Sequence, residues 1–159
     1  METTLEGAKE QNHDKIVESL QELLEKNYDA EKGFKKALDN TKNHSLKNYL
    51  KHQAVKRNRF ATELDFEIRG LNAKPKESGS ATASIHRAWI DLKSAIAGND
   101  DEAILEECIR GDKASVEEYE DVLEKHKLPT KIQQVVSIQL DDIRKTLNEV
   151  KRLEDLKDS

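Results

Sequence analysis

The chain has few of the residues that interrupt helices or cross-link a fold. Among 159 residues there are two prolines, six glycines and one cysteine, and aromatic residues make up only 4%. So few helix-breaking residues favour long helices, and the many Leu, Ala, Glu and Lys residues are typical of helical proteins. A single cysteine cannot form an internal disulfide, which is typical of a reducing compartment, and we therefore expect a cytoplasmic protein.

The sequence also lacks long apolar runs and a surplus of basic residues. No stretch approaches the roughly 18 apolar residues that are needed to cross a bilayer, and the polar start METTLEGAKEQNHDK predicts no signal peptide. The 27 basic and 32 acidic residues are interleaved and give a formal net charge of −5. This balance argues against a broad basic surface, so we expect neither a membrane nor a nucleic acid as a partner.

Hydrophobic residues make up 35% of the chain and recur every three or four positions, which predicts amphipathic helices. We predict an all-α fold in one domain over residues 1–159, with a disordered tail over residues 1–12. The predicted long helices cover about 14–39, 46–71, 100–124 and 131–156, and a short helix covers about 81–97. The loop-like stretch NAKPKESGS at 72–80 is too short to return the chain along a long helix, so the short helix would complete the crossing.

The apolar stripe of the predicted helix at 100–124 has a carboxylate, Asp112, near its centre. Cys108 lies one turn before it and is predicted to be a buried structural thiol, while Tyr119 lies two turns after it with its hydroxyl close by. A carboxylate on a buried face is costly unless another group pairs with it. The other long helices also carry polar residues near mid-length, and in a bundle these would meet Asp112 at one level; they are Glu31, Gln53 or Lys56, and Gln139.

This polar level has two interpretations. Di-metal carboxylate bundles bind their ions with glutamates and Glu-x-x-His motifs from facing helices, but the only such motif here is residues 10–13, at the start of the first helix. In the second interpretation, a polar layer fixes the helix register, and Lys56 neutralises Glu31 or Asp112. We favour the polar layer with no cofactor; a site for iron or manganese at Glu31 and Asp112 is the alternative.

Two further features concern the segment before the helix at 100–124. Gly33 lies inside the first predicted helix, where glycine costs about 1 kcal/mol relative to alanine, so a neighbouring group is expected to need the space. The cluster His86, Arg87 and Trp89 is either a functional cluster or, as we favour, a set of residues that pins the short helix to the bundle.

Residues 80–123 carry two motifs that resemble a bacterial ferritin-like four-helix-bundle family of unknown function. The first motif, H-R-x-W-x-x-L-K, begins at His86 and ends at Lys93, and the second, D-D-x-x-I-L-x-E-C-x-x-G, begins at Asp100 and ends at Gly111. The resemblance implies two helical hairpins joined by a long crossover, in the order up-down-down-up, with a metal layer. Glu31 and Asp112 match acidic positions of that family, whereas Lys56 replaces a common glutamate and Leu147 a common histidine.

We therefore expect a ferritin-like four-helix bundle with a short extra helix in the crossover. Its expected role is non-catalytic: it would associate with itself, as a homodimer or another homo-oligomer, or with a partner protein, in a stress-related context. The alternative is a di-iron or dimanganese carboxylate protein that handles oxygen species or stores metal.

Overall fold

The computed structural model describes residues 4–76, 89 and 91–156. No strand occurs among them, so the prediction of an all-α fold is confirmed. No helix in these ranges combines the length and the apolar composition of a membrane-spanning segment. The helices are α1 (Thr4–Asp39), α2 (His44–Gly70), α3 (Leu92–Ala97), α4 (Asp101–Lys125) and α5 (Thr130–Glu149), and a 3-10 turn follows at Leu153–Asp155.

Polar contacts between the helices show the direction in which each one runs. The backbone of the α1–α2 link donates hydrogen bonds to the carboxylate of Asp101, so α4 begins beside the end of α1 and runs antiparallel to it. Lys131 at the start of α5 pairs with Glu67 near the end of α2, and Asp142 further along α5 pairs with Lys56 further back in α2. Thus α1 and α5 run in one direction, and α2 and α4 run in the other.

The apolar core has two parts at different levels along the bundle. One part is formed by the first half of α1, the second half of α2, the end of α4 and α5, and it includes Leu20, Phe60 and Val136. The other is formed by the second half of α1, the first halves of α2 and α4, and the crossover, and it includes Phe34 and Trp89. Buried polar side chains lie between these two parts, and they are described in the next subsection.

The first and last helices differ in length from the prediction. The structure has a helix from Thr4 where we predicted a disordered tail over residues 1–12, because this stretch has no proline and is rich in good helix formers. At the other end, α5 stops at Glu149 rather than continuing to about residue 156, and Val150 has an extended backbone. Leu153 and Leu156 instead fold back onto the second part of the core, and the Leu153 N–H donates to the Glu102 carboxylate at 3.1 Å.

The short helix is described only from Leu92 to Ala97. The remainder of the predicted helix, residues 81–91, lies outside the described residues except for Trp89 and Asp91. α3 packs on α4 and α1, and its buried residue, Leu92, belongs to the second part of the apolar core.

Candidate functional site

An ion pair between Arg57 of α2 and Asp112 of α4 lies at the centre of the bundle. Arg57 Nη2 donates to Asp112 Oδ1 at 2.7 Å, and the two side chains are 1% and 2% exposed. Burial raises the pKa of Asp112 above its ordinary value, and the adjacent guanidinium opposes that rise. The direct partner of the central carboxylate is therefore Arg57 and not the predicted Lys56, whose nearby charge also lowers the pKa of Asp112.

The guanidinium also connects the ion pair to α1. Arg57 Nη1 donates to Asn27 Oδ1 at 2.9 Å, and Asn27 Nδ2 donates both to the Tyr119 hydroxyl and to the backbone oxygen of Leu23, each at 2.8 Å. Asn27 is fully buried, so both ends of its amide need partners, and these three contacts supply them. Asn27 was not among the residues predicted to form the polar level, although it lies in the same register as the apolar residues of α1.

The same chain of hydrogen bonds continues from Tyr119 to α5 and then to the surface. The Tyr119 hydroxyl donates to Gln139 Oε1 at 2.6 Å, and Gln139 Nε2 donates to Glu63 Oε1 at 2.9 Å and to the Phe60 backbone oxygen at 3.2 Å. Burial raises the pKa of Tyr119 to about 12, so the hydroxyl keeps the proton with which it bonds Gln139. We call the set Asn27, Arg57, Asp112, Tyr119 and Gln139 the polar layer, and it includes a residue from each of the four long helices.

Two atoms of the ion pair, Asp112 Oδ2 and Arg57 Nε, are buried without a hydrogen-bond partner. An unsatisfied buried group costs about 1–3 kcal/mol, so the layer stabilises the fold less than a fully bonded one would. Cys108 lies one turn before Asp112, and burial raises the pKa of its thiol well above the ordinary value. The thiol therefore stays protonated and is a poor nucleophile.

The other predicted members of the polar level lie in different surroundings. Glu31 is at the edge of the bundle, where it pairs with Lys35 at 2.8 Å and accepts a hydrogen bond from Asn58. Lys56 is half-buried and pairs with Asp142 of α5 at 2.7 Å, so its direct partner is neither Glu31 nor Asp112. Gln53 is buried one turn before Arg57. The structure thus brings Asp112 and Gln139 into one network and places Glu31 and Lys56 outside it.

The residues present do not fit a di-metal centre. A guanidinium already occupies one oxygen of Asp112, and an ammonium group pairs with Glu31, whereas a divalent ion needs carboxylates whose oxygens are free to coordinate it. Within the described ranges, no group of three or more His, Cys, Asp or Glu residues is arranged to hold a metal ion.

The indole of Trp89 fills a notch between α1 and α4. A Cβ atom on Gly33 would clash with Trp89 Cε3, and one on Gly111 would lie only 2.5 Å from Trp89 Cζ2. Phe34 meets the indole edge-on, with ring centroids 5.1 Å apart. This close approach explains why glycines occur inside two long helices, and it confirms the expectation that a neighbouring group needs the space at Gly33. His86 and Arg87, the other members of the predicted cluster, lie outside the described residues.

A comparison with models of protein families finds a match. The family model described as "Domain of unknown function (DUF2383)" matches residues 15–125. The matched region includes the Arg57–Asp112 ion pair and both glycines of the Trp89 notch, and it ends with α4, before Gln139. No curated protein matches the chain.

Proposed function

We propose that this chain, which belongs to the DUF2383 domain family of unknown function, is a ferritin-like bundle that associates with a second copy of itself and catalyses no reaction. The helix directions support the ferritin-like relationship. α2 and α4 run in the same direction, so the connection from Leu71 to Asp100 must travel the length of the bundle. Two antiparallel hairpins joined by such a crossover are the pattern of ferritin-like folds.

The polar layer supports a structural rather than a catalytic role for the interior. A catalytic or metal-binding centre needs groups that can meet a substrate or an ion, whereas here Asp112 is neutralised by Arg57 and both are almost fully buried. Buried polar groups that bond to one another favour one arrangement of the helices over others, as single polar residues do in coiled coils. We therefore assign the polar layer to fixing how the four long helices pack.

Self-association is inferred from the position of the exposed hydrophobic side chains. Among the side chains that the structure describes, in 11–76, 89 and 91–156, the exposed large hydrophobic residues are Val55, Phe66 and Ile138, and all three belong to α2 and α5. Single exposed hydrophobic residues are common, but a group on one side of a molecule is typical of a protein interface. The cytoplasmic location and the stress-related context stay predictions from the sequence.

Sedimentation equilibrium of the purified chain over a wide concentration range tests this proposal. We expect a mass of twice the 18.2 kDa of one chain at micromolar concentration, with dissociation on dilution. A mass of one chain at every concentration would contradict the proposal.

A further inference from the structure

We infer that the second copy docks on the α2–α5 face, and that the two copies meet there through the same residues about a two-fold axis. We use the name α2–α5 face for Val55, Arg59, Glu63 and Phe66 of α2 together with Lys131, Ile138 and Asp142 of α5. This inference rests on the proposed function, because it locates the surface through which the association occurs.

The apolar members of this face lie on neighbouring stripes of two adjacent helices. Val55 and Phe66 are eleven residues apart, which is about three turns, so they project from α2 within about 20° of each other. On α5, Lys131 and Ile138 are seven residues apart and share a stripe in the same way. Lys131 Nζ lies 4.9 Å from the centre of the Phe66 ring, so the two stripes lie side by side.

The exposure of the apolar side chains on this face is high for residues of their size. Val55, Phe66 and Ile138 are 65%, 64% and 68% exposed, so each presents most of its surface to solvent. From residue 11 onward, where the structure describes the side chains, no large hydrophobic residue of α1 or α4 is exposed to this degree. A partner on the α2–α5 face would therefore remove these three apolar side chains from water, which favours association.

The charges of the face favour a second copy over a strongly charged partner. Arg59 and Lys131 are basic, and Glu63 and Asp142 are acidic, so each of the two helices contributes one residue of each sign. Arg59 and Asp142 are 3.7 Å apart. The chain as a whole carries a net charge of −5, so two copies repel each other unless they meet where the charges cancel. A face with two groups of each sign meets its own copy without net repulsion, and a two-fold axis can place basic groups opposite acidic ones.

The same balance argues against other occupants. A nucleic acid or an anionic membrane surface requires a basic patch, and a strongly basic protein partner requires an acidic one. Neither sign dominates the α2–α5 face, and its three exposed apolar side chains fit a partner that is itself apolar at matching positions. A second copy of the chain meets that requirement by symmetry.

The test compares a double variant on the face with a variant of equal charge change elsewhere. Phe66→Glu/Ile138→Glu removes the two largest apolar groups of the face and adds two negative charges, whereas Lys32→Glu on the outer side of α1 makes the same change in net charge at an exposed position. We expect sedimentation equilibrium to give a dimer dissociation constant at least about tenfold higher for the double variant. For Lys32→Glu we expect a dissociation constant within about twofold of the native one. Far-UV circular dichroism and thermal unfolding would establish that both variants fold, as expected for changes at exposed positions.

The outcomes separate this inference from the proposed function. If the native chain and the Phe66→Glu/Ile138→Glu variant are equally strong dimers, the α2–α5 face is not the interface, and self-association through another surface stands. If both variants weaken the dimer equally, net charge rather than this face controls association, and the inference is wrong. If the native chain is monomeric throughout, the inference and the proposed function are both wrong.

Discussion

Arg57 Nη2 donates a hydrogen bond to Asp112 Oδ1 at 2.7 Å, and neither side chain reaches solvent. This contact neutralises the Asp112 carboxylate at the centre of the bundle, and Asn27 connects the ion pair to Tyr119 and Gln139. The adjacent Lys56 instead forms an ion pair with Asp142 of α5. The buried polar residues of this chain are therefore occupied mainly with one another.

The Trp89 notch predicts that the effect of Gly33→Ala on stability changes sign with the residue at position 89. In the native chain the new methyl group would clash with the indole, so we expect the free energy of unfolding to fall by about 1–2 kcal/mol despite the better helix propensity of alanine. In a Trp89→Ala background the clash is absent, and the same substitution should raise the free energy of unfolding by up to about 1 kcal/mol. Urea unfolding of the four proteins measures both effects.

A matched control for this experiment is Gly70→Ala at the end of α2. A Cβ atom there would have no neighbouring atom within 4 Å, so we expect no loss of stability in either background. An equal effect of Gly33→Ala with and without the indole would contradict the account of the notch.

The raised pKa of Tyr119 predicts that stability falls in alkaline solution. An unfolded tyrosine loses its proton near pH 10, whereas Tyr119 in the folded chain keeps its proton until about pH 12. Between these values the folded state binds the extra proton, so raising the pH lowers the free energy of unfolding by up to about 1.4 kcal/mol per pH unit. Below pH 10 this contribution is fully present.

The measurement is urea unfolding at pH 9 and pH 11 for the native chain and Tyr119→Phe. We expect the native chain to be more stable by about 1 kcal/mol at pH 9, because the phenylalanine leaves Gln139 Oε1 without its donor. At pH 11 this advantage should shrink or disappear. Subtracting the variant removes the titration of the other ionisable groups, including Tyr49, whose pKa burial also raises. An unchanged advantage at pH 11 would show that Tyr119 titrates like an exposed tyrosine.

The pairing of both candidate carboxylates with cations predicts weak metal binding. After incubation with manganese or ferrous iron and removal of free metal, we expect metal analysis to find well below one ion per chain. Because Arg57 and Lys35 already neutralise the two carboxylates, Glu31→Ala and Asp112→Asn should leave the metal content unchanged. Two ions per native chain that are lost in both variants would instead establish the di-metal alternative.

The helices could be predicted from the sequence because their boundaries carry strong local signals. Asn40–Asn43, Gly98–Asp100 and His126–Pro129 interrupt the apolar repeat, and the helices end within a few residues of them. The end of α5 could not be predicted in this way, since the spacing from Val150 to Leu153 fits an α-helix and a 3-10 turn equally well. The return of Leu153 over α4 depends on a tertiary contact with Glu102.

The site was predicted less completely, for a geometric reason. Asp112 stands at the centre of a clear apolar stripe, so its burial follows from the sequence alone. Lys56 and Arg57 are adjacent, about 100° apart on α2, and both lie close to the apolar side. Which of them points inward depends on how α2 packs between α1 and α5, and that arrangement is not encoded in the periodicity of one helix.

A double-mutant cycle on Arg57 and Asp112 tests the central claim most directly, through free energies of unfolding in urea. Asp112→Leu leaves a buried guanidinium unpaired and Arg57→Met leaves a buried carboxylate unpaired, so we expect each to cost about 3–5 kcal/mol. The double variant has no buried charge, and we expect it to recover to within about 1–2 kcal/mol of the native chain. Single substitutions that cost little, or a double variant that loses the sum of both, would contradict the account of a layer closed by this ion pair.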